Sequence, residues 1–229
     1  LFIGEGLAET FESRGWNVVV DETIPWDVRF TEFSPILTKI RKRIPSIIIY
    51  TDPSAANAAS FFKEFLEDPT PSLLFMMPTP TYPDFQELMA GKQKGVIWTY
   101  PAPLIGPKAG KYVEKFVERW DKEPDPYGVF GYDIINVAAV ALKEAKDPFD
   151  REAVNSILNH EDFSYEGVVG TYEFDDLHMA KYGTGYITFA TWQAWPDEHG
   201  TLISHVLYPI EFKTTDFSLP PWYEAALNK

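Results

Sequence analysis

The feature that most constrains the fold is a series of short apolar segments that alternate with amphipathic ones over the first hundred residues. Four segments carry continuous apolar runs and predict buried strands: Trp16–Val20, Ser46–Tyr50, Leu73–Met77 and Val96–Tyr100. Strands that are apolar on both faces are typical of a parallel sheet covered by helices on both sides. The pattern therefore predicts an α/β fold, a doubly wound parallel sheet.

The segments between these strands predict helices. Gly15 ends the first, and Pro45 stops a second that begins near Phe33. Asp52 is predicted to be the N-cap of a third, with Pro53 in its first turn. Helical spacing predicts the buried face of that third helix, which comprises Ala55, Ala58, Ala59, Phe62, Phe65 and Leu66. A short helix is expected around residues 85–89.

The second half of the chain changes in character. The segment Pro101–Pro107, with the sequence PAPLIGP, holds three prolines and a glycine, and it predicts a stiff connection between domains. Three helices should follow, at residues 111–121, 131–145 and 151–158. Strands and turns are then predicted over residues 165–212, and the last residues, LPPWYEAALNK, favour a short surface helix.

Charge and composition exclude several classes of function. The formal net charge is -14 and the pI is about 4.7. A nucleic-acid binder needs a basic face to displace counterions from phosphates, and an anionic membrane surface likewise attracts basic segments. The acidity therefore indicates solubility. The chain has no cysteine, which excludes disulfides, thiol nucleophiles and cysteine-ligated metals but leaves the cellular compartment open.

No targeting or membrane segment is evident in the sequence. No run approaches the roughly 18 apolar residues of a membrane helix, and Leu1 to Gly6 lack the basic start and apolar stretch of a signal peptide. The opening is typical of the middle of a protein, so that, if the protein is exported, its export signal is expected upstream.

Motifs for catalysis are missing from the sequence. GPKAGK at Gly106–Lys111 is one residue short of a phosphate-binding loop and lacks the preceding strand. His178, after Asp175 and Asp176, allows a metal site, but a solvated turn is the favoured interpretation. We therefore predict no enzymatic activity, no catalytic residue, no metal and no cofactor.

Three tyrosines stand where predicted strands end: Tyr50, Tyr82 and Tyr100. Ligands of open α/β sheets bind beyond the carboxyl ends of the strands. These tyrosines therefore either line a ligand site or close the edge of the core, and the sequence leaves both interpretations open.

An ordered succession of motifs resembles one protein family. GEGLAETFESRGWNVVVDETIP, FSPILTKI, PSIIIY and KGVIWTYPAP are similar to the second lobe of type I periplasmic binding proteins of the branched-chain amino-acid and amide group. The matching residues are Gly4, Glu5, Gly6, Phe33, Ser34, Pro35, Leu37, Lys39 and Ile40. The helices after Lys111 and the turn in YEGVVGTYEFDD continue the resemblance over nearly the whole chain.

The resemblance implies two α/β lobes, joined by crossing segments, with a solute in the cleft between them. Residues 1–100 and 187–215 would build one lobe, residues 101–186 would belong to the other, and residues 216–229 would form a C-terminal tail. The first half of that other lobe has no counterpart in this sequence. A further segment or a partner chain is therefore expected to supply it.

Ligand-facing positions can be transferred only for the lobe that is present. The family's aromatic position before its Gly-x-Gly turn corresponds to Ile3, and the loop after the second strand corresponds to Thr51 and Asp52. The position that is often acidic in amino-acid binders corresponds to Thr79. Tyr82 and Tyr100 lie nearby in sequence and complete the predicted set of ligand-binding residues. An aliphatic residue at position 3 and a threonine at position 79 disfavour an α-amino acid.

The resemblance implies the solute-binding component of an ABC-type importer, which captures an amino acid, an amide or a related solute. Its partners would be that solute and the membrane permease. Its location would be periplasmic or extracellular, with an N-terminal membrane anchor left open. The alternatives are a ligand-sensing domain of a receptor with the same fold, and an α/β enzyme. The enzyme is disfavoured because the chain lacks a nucleophile motif and a glycine-rich dinucleotide turn.

Overall fold

The computed structural model describes residues 7–19, 32–101, 104, 108–183 and 185–228. The helices are α1 (Leu7–Ser13), α2 (Ser34–Arg43), α3 (Ala55–Glu67), α4 (Pro83–Met89), α5 (Ala109–Trp120), α6 (Pro126–Glu144), α7 (Arg151–Leu158) and α8 (Pro221–Leu227). The strands are β1 (Ile47–Asp52), β2 (Leu73–Pro78), β3 (Ile97–Pro101), β4 (Tyr165–Glu166), β5 (Thr171–Tyr172), β6 (Phe189–Pro196) and β7 (Leu202–Tyr208). No described helix combines the length and hydrophobicity needed to cross a lipid bilayer.

The described part of the chain confirms the α/β fold class. Strands β1, β2 and β3 are adjacent and parallel, with Ile47 opposite Leu73 and Phe75 opposite Ile97. The sheet has the order β1-β2-β3-β6-β7, and β6 pairs with β7 in antiparallel fashion. The sheet is therefore rich in parallel pairs, with an antiparallel hairpin at one edge.

The chain divides into two compact units. Unit 1 comprises Leu1–Thr99 and Thr191–Lys229, and unit 2 comprises Tyr100–Ala190. In unit 1 the core lies between β1 to β3 and the helices α2, α3, α4 and α8. Its largest fully buried side chains include Phe61, Phe62, Phe65, Phe85 and Leu74. Of these, Phe61 lies outside the face of α3 that helical spacing predicted.

One predicted strand is wrong in its described part. Residues 16–19 form no strand, and Val20 lies outside the described residues. Trp16 is 54% exposed and meets Phe11 edge-on, with the ring centroids 6.3 Å apart. Consecutive valines favour an extended backbone, but a strand also needs a neighbour to pair with it. Ile47 and Ile49 of β1, predicted to be covered, are accordingly 37% and 40% exposed.

The C-terminal segment belongs to the core of unit 1. Gln193 of β6 is fully buried, and its side-chain amide donates to the Gly95 and Ser218 carbonyls and accepts from the Ser218 N–H. Gly95 has φ +96°, and a Cβ there would approach Pro220 to 2.7 Å. Helix α8 was predicted to lie on the surface, yet Trp222 is only 5% exposed. An apolar ring on a short helix packs inward when the adjoining sheet offers a partner surface.

Unit 2 is organised around one buried carboxylate. Asp133 of α6 is fully buried; its Oδ1 accepts from the Val168 N–H, and its Oδ2 accepts from the Val169 N–H at 2.9 Å and from the Tyr172 hydroxyl at 3.2 Å. A Cβ at Gly167 would lie 2.5 Å from Asp133 Oδ2, so only glycine fits there. This carboxylate therefore ties the turn between β4 and β5 to α6.

Helix α6 begins earlier than predicted. It starts at Pro126 rather than near residue 131, because the Asp125 side chain accepts from the Gly128 N–H and caps it. The Asp125–Pro126 pair, which lies before the predicted helix, is therefore the start of the helix.

Candidate functional site

The candidate site lies at the carboxyl edge of the parallel strands in unit 1. Thr51 and Asp52 end β1 and stand opposite Met77 and Pro78 of β2 in the register. Thr79 follows β2 directly and begins a short 3-10 helix, Thr79–Thr81. The structure thus brings three of the predicted ligand residues to a single edge of one sheet.

Asp52 is held by three hydrogen bonds from its own segment. Its Oδ1 accepts from the Ser54 N–H at 2.7 Å, and its Oδ2 accepts from the Tyr50 hydroxyl and from the Asn57 side-chain amide, each at 3.1 Å. The prediction that Asp52 is a helix N-cap is wrong, because Ser54 caps α3 and accepts from the Asn57 N–H. The Asp52 carboxylate instead accepts a hydrogen bond from the backbone N–H two residues ahead, that of Ser54, as Asp side chains commonly do in turns.

This network limits what Asp52 can offer a ligand. An ionised carboxylate has about four lone-pair sites, and the three hydrogen bonds from Tyr50, Ser54 and Asn57 occupy most of them. Asp52 therefore fixes the geometry of the loop after β1 and has little capacity left for a substrate ammonium group.

Thr79 differs from Asp52 in having an unused polar group. Its side chain is fully buried, and its hydroxyl makes no hydrogen bond to any described residue. Buried polar groups are nearly always paired, because an unpaired one is costly. Among the described residues of the predicted site, Thr79 therefore stands out by a buried hydroxyl without a hydrogen-bond partner.

The predicted tyrosines take different positions. Tyr82 is half-buried, packs against the unit 1 core and donates its N–H to the Thr79 carbonyl at 2.9 Å. Tyr50 stacks on Phe61 with ring centroids 4.4 Å apart, so it contributes to the core. Tyr100 belongs to unit 2, where it is buried and meets Tyr127 edge-on at 5.5 Å. Ile3 lies outside the described residues.

The pKa of Tyr50 is raised well above its usual value, by burial first and then by the charge of Asp52 and the hydrogen bond to it. A phenol whose pKa is higher in the folded than in the unfolded state stabilises the fold below about pH 10, and this stability is lost as the pH rises further. We expect the free energy of unfolding to fall less between about pH 8 and pH 10.5 in Tyr50→Phe than in the parent chain. Urea unfolding at the two pH values measures this, and an equal fall in both proteins would contradict the account.

The sequence left a metal site at His178 as an alternative. In the structure Asp175 Oδ1 accepts from the backbone N–H groups of Leu177 and Met179, and His178 Nδ1 lies 2.6 Å from Asn159 Oδ1. Within the described ranges no group of three His, Asp or Glu side chains is placed to hold a metal ion. This segment is a turn held by its own aspartate.

Three comparisons with known proteins bear on the identity of this chain. A family model described as periplasmic binding protein matches residues 3–199. A search of curated protein sequences found no significant match. Solved structures similar to the chain include three bacterial proteins that share 18–20% sequence identity with it.

A protein of Silicibacter pomeroyi assigned to branched-chain amino acid ABC transport is 20% identical, with a TM-score of 0.77; the match covers 94% of this chain and 57% of that protein. A leucine-binding protein of Thermotoga maritima is 18% identical, with a TM-score of 0.69 and coverage of 89% and 55%. An ABC-transporter solute-binding protein of R. palustris, solved with benzoate, is 20% identical, with a TM-score of 0.64 and coverage of 90% and 55%. These similarities establish the fold, and the chain spans little more than half the length of each relative.

Proposed function

Because this chain belongs to the periplasmic binding protein family, we propose that it is part of the solute-binding component of an ABC-type importer. It would capture a small organic solute between two lobes and deliver it to a membrane permease, from a periplasmic or extracellular location. Members of this family bind solutes and do not transform them, so we infer that the chain is not an enzyme.

The observation that carries this proposal is the meeting of Thr51, Asp52 and Thr79 at the carboxyl edge of the sheet, where the buried Thr79 hydroxyl has no hydrogen-bond partner among the described residues. Ligands of open α/β sheets bind beyond this edge, and a solute with a donor or acceptor would complete the hydrogen bonding of that hydroxyl. Thr51, at the end of β1, would supply a second hydroxyl from the same edge. Closure of two lobes about a hinge would then enclose the solute.

The chemistry of this edge favours a neutral or weakly polar solute over an α-amino acid. Thr51 and Thr79 offer neutral hydroxyls, whereas the Asp52 carboxylate already accepts three hydrogen bonds. An ammonium group needs an acidic partner when water is excluded. Tyr82 would contribute a ring against which an apolar or planar body can pack.

Calorimetry on the complete protein that carries residues 1–229, with amino acids, amides and aromatic acids, tests the solute class. We expect the tightest binder to lack an α-ammonium group, and Thr79→Val to weaken its binding about tenfold, as the loss of one buried hydrogen bond predicts. Thr38→Val, an exposed threonine of α2, is the matched control and should leave binding unchanged. Tight binding of leucine that survives Thr79→Val but is lost in Asp52→Ala would overturn the preference for a solute without an α-ammonium group.

We also propose that a further polypeptide covers the exposed faces of α5 and α6. One face of α6 is buried in unit 2, whereas the opposite face carries Ile134, Ile135 and Leu142, which are 56%, 70% and 42% exposed. At 100° per residue these three side chains share a stripe with Tyr127. Soluble monomers rarely leave such a patch uncovered. The relatives, of which this chain spans 55–57%, contain additional chain that could form the cover.

Intact-mass and sedimentation measurements on the purified chain test this proposal. We expect residues 1–229 alone to self-associate or to bind a hydrophobic dye, and we expect Ile135→Lys with Leu142→Lys to suppress both effects. A 26.1 kDa monomer that unfolds cooperatively and binds no dye would contradict the proposal.

A further inference from the structure

The tyrosine and the asparagine that hold Asp52 are themselves fixed by the core of unit 1. Tyr50 stacks on the buried ring of Phe61, with the ring centroids 4.4 Å apart. Asn57, in the first turn of α3, is only 3% exposed. Both side chains donate to the same carboxylate oxygen, Asp52 Oδ2, at 3.1 Å. The carboxylate of Asp52 is therefore anchored from the side of the core.

The geometry of β1 explains this direction. Side chains two residues apart in a strand lie on the same face of the sheet, so Asp52 shares with Tyr50 the face that α3 covers. Asp52 itself ends the strand and is only partly buried. Its side chain has three staggered χ1 rotamers, and the hydrogen bonds from Tyr50 and Asn57 select one that turns the carboxylate toward α3.

Both donors keep their protons at neutral pH. The side-chain amide of Asn57 does not titrate in this range. The pKa of Tyr50 is raised by burial first, and then by the charge of Asp52 and the hydrogen bond to it, so the phenol stays protonated well above neutral pH. The two hydrogen bonds to Asp52 Oδ2 are therefore in place whenever a solute binds near neutral pH.

We propose that Tyr50 and Asn57 are positioning residues that set the solute specificity of the carboxyl edge, because they hold the Asp52 carboxylate against the core and withhold its charge from a solute ammonium group. Asp52 stands opposite Pro78 in the register, and Pro78 directly precedes Thr79. Neighbouring strands lie about 4.8 Å apart, so a carboxylate released by its two anchors would add a negative charge beside Thr79. This inference rests on the proposed function, since a solute at this edge is its premise.

Calorimetry on the complete protein that carries residues 1–229 tests the specificity with two amides of the same carbon skeleton. Leucinamide carries an α-ammonium group, which is protonated at about pH 6, and isocaproamide lacks that group. Tyr50→Phe with Asn57→Ala removes both donors and should raise the affinity for leucinamide about tenfold over the parent, as one charge-assisted hydrogen bond predicts. The affinity for isocaproamide should not change. A folded double variant that gains no affinity for leucinamide would overturn the proposal.

Two controls assign the gain to the released carboxylate. Asp52→Ala, added to the double variant, should abolish the gain in leucinamide affinity. Tyr172→Phe is the matched control, because Tyr172 also donates its hydroxyl to a carboxylate, that of Asp133, but lies in unit 2. It removes the same kind of hydrogen bond and should leave the affinities for both amides unchanged. An equal gain for leucinamide in Tyr172→Phe would contradict a specific role of Tyr50 and Asn57.

A measurement without solute separates this inference from the proposed function. NMR coupling constants of the isotopically labelled protein report the χ1 rotamer of Asp52. We expect a single rotamer in the parent and averaging over several rotamers in the double variant, and one unchanged rotamer in both would contradict the anchoring. Averaged rotamers in a protein that binds no amino acid, amide or aromatic acid would confirm the anchoring, but would contradict the proposed function and with it the role in specificity.

Discussion

Asp133→Ala should destabilise unit 2 by about 3–5 kcal/mol. The substitution leaves the Val168 and Val169 N–H groups and the Tyr172 hydroxyl without the carboxylate that now accepts from all three. A buried donor that loses its partner costs about 1–3 kcal/mol. Urea unfolding, combined with hydrogen exchange of the Val168 and Val169 amides, measures the effect, and we expect protection of those two amides to disappear first.

Asp175→Ala is the matched control, because the Asp175 carboxylate also accepts from two backbone N–H groups but is exposed. Water can replace an exposed acceptor, so the free energy of unfolding of this variant should fall by less than about 1 kcal/mol. Equal losses in the two variants would show that the burial of Asp133 is not what makes it important.

Trp222→Ala should destabilise unit 1 by about 3–5 kcal/mol, the range expected for removing a large buried aromatic side chain. The indole meets Phe62 and Phe65 edge-on, at centroid distances of 5.3 and 6.1 Å, and its Nε1–H donates to the Ser72 carbonyl at 3.0 Å. Loss of the ring would open a cavity in the core and leave that carbonyl unpaired. Urea unfolding followed by circular dichroism measures the change.

Two further variants serve as comparisons for Trp222→Ala. Trp222→Phe keeps an aromatic ring and should cost less than Trp222→Ala. Trp120→Ala removes a tryptophan that is 55% exposed and should change the free energy of unfolding by less than about 1 kcal/mol. A loss from Trp222→Ala as small as that from Trp120→Ala would show that α8 is not part of the core.

The sequence predicted the fold best where local patterns and packing agree. The strands at Leu73 and Val96 and the helix at Arg151 were placed to within one or two residues, because apolar runs, proline stops and aspartate caps act locally. The strand predicted at Trp16 was not found in residues 16–19. Its apolar run has the propensity for a strand, but it has no pairing partner in the described part of the chain. The burial of Trp222 depends on a contact with Ser72, 150 residues away, which no local pattern encodes.

The candidate site was predictable in its location but not in its detailed roles. Parallel strands place their carboxyl ends at one edge, so Thr51, Asp52 and Thr79 were expected to lie there together. The hydrogen bonds that engage Asp52 and the isolation of the Thr79 hydroxyl depend on side-chain geometry. Tyr100 was grouped with these residues by sequence proximity to a strand end, but it packs with Tyr127 in unit 2.

Calorimetry of the complete protein with small organic solutes, followed by mass spectrometry of the recovered solute, tests the proposed function most directly. We predict that one solute binds per protein molecule, with heat that saturates, and that it is recovered chemically unchanged. Conversion of the solute into a product, or the absence of saturable binding by any amino acid, amide or aromatic acid, would contradict the account.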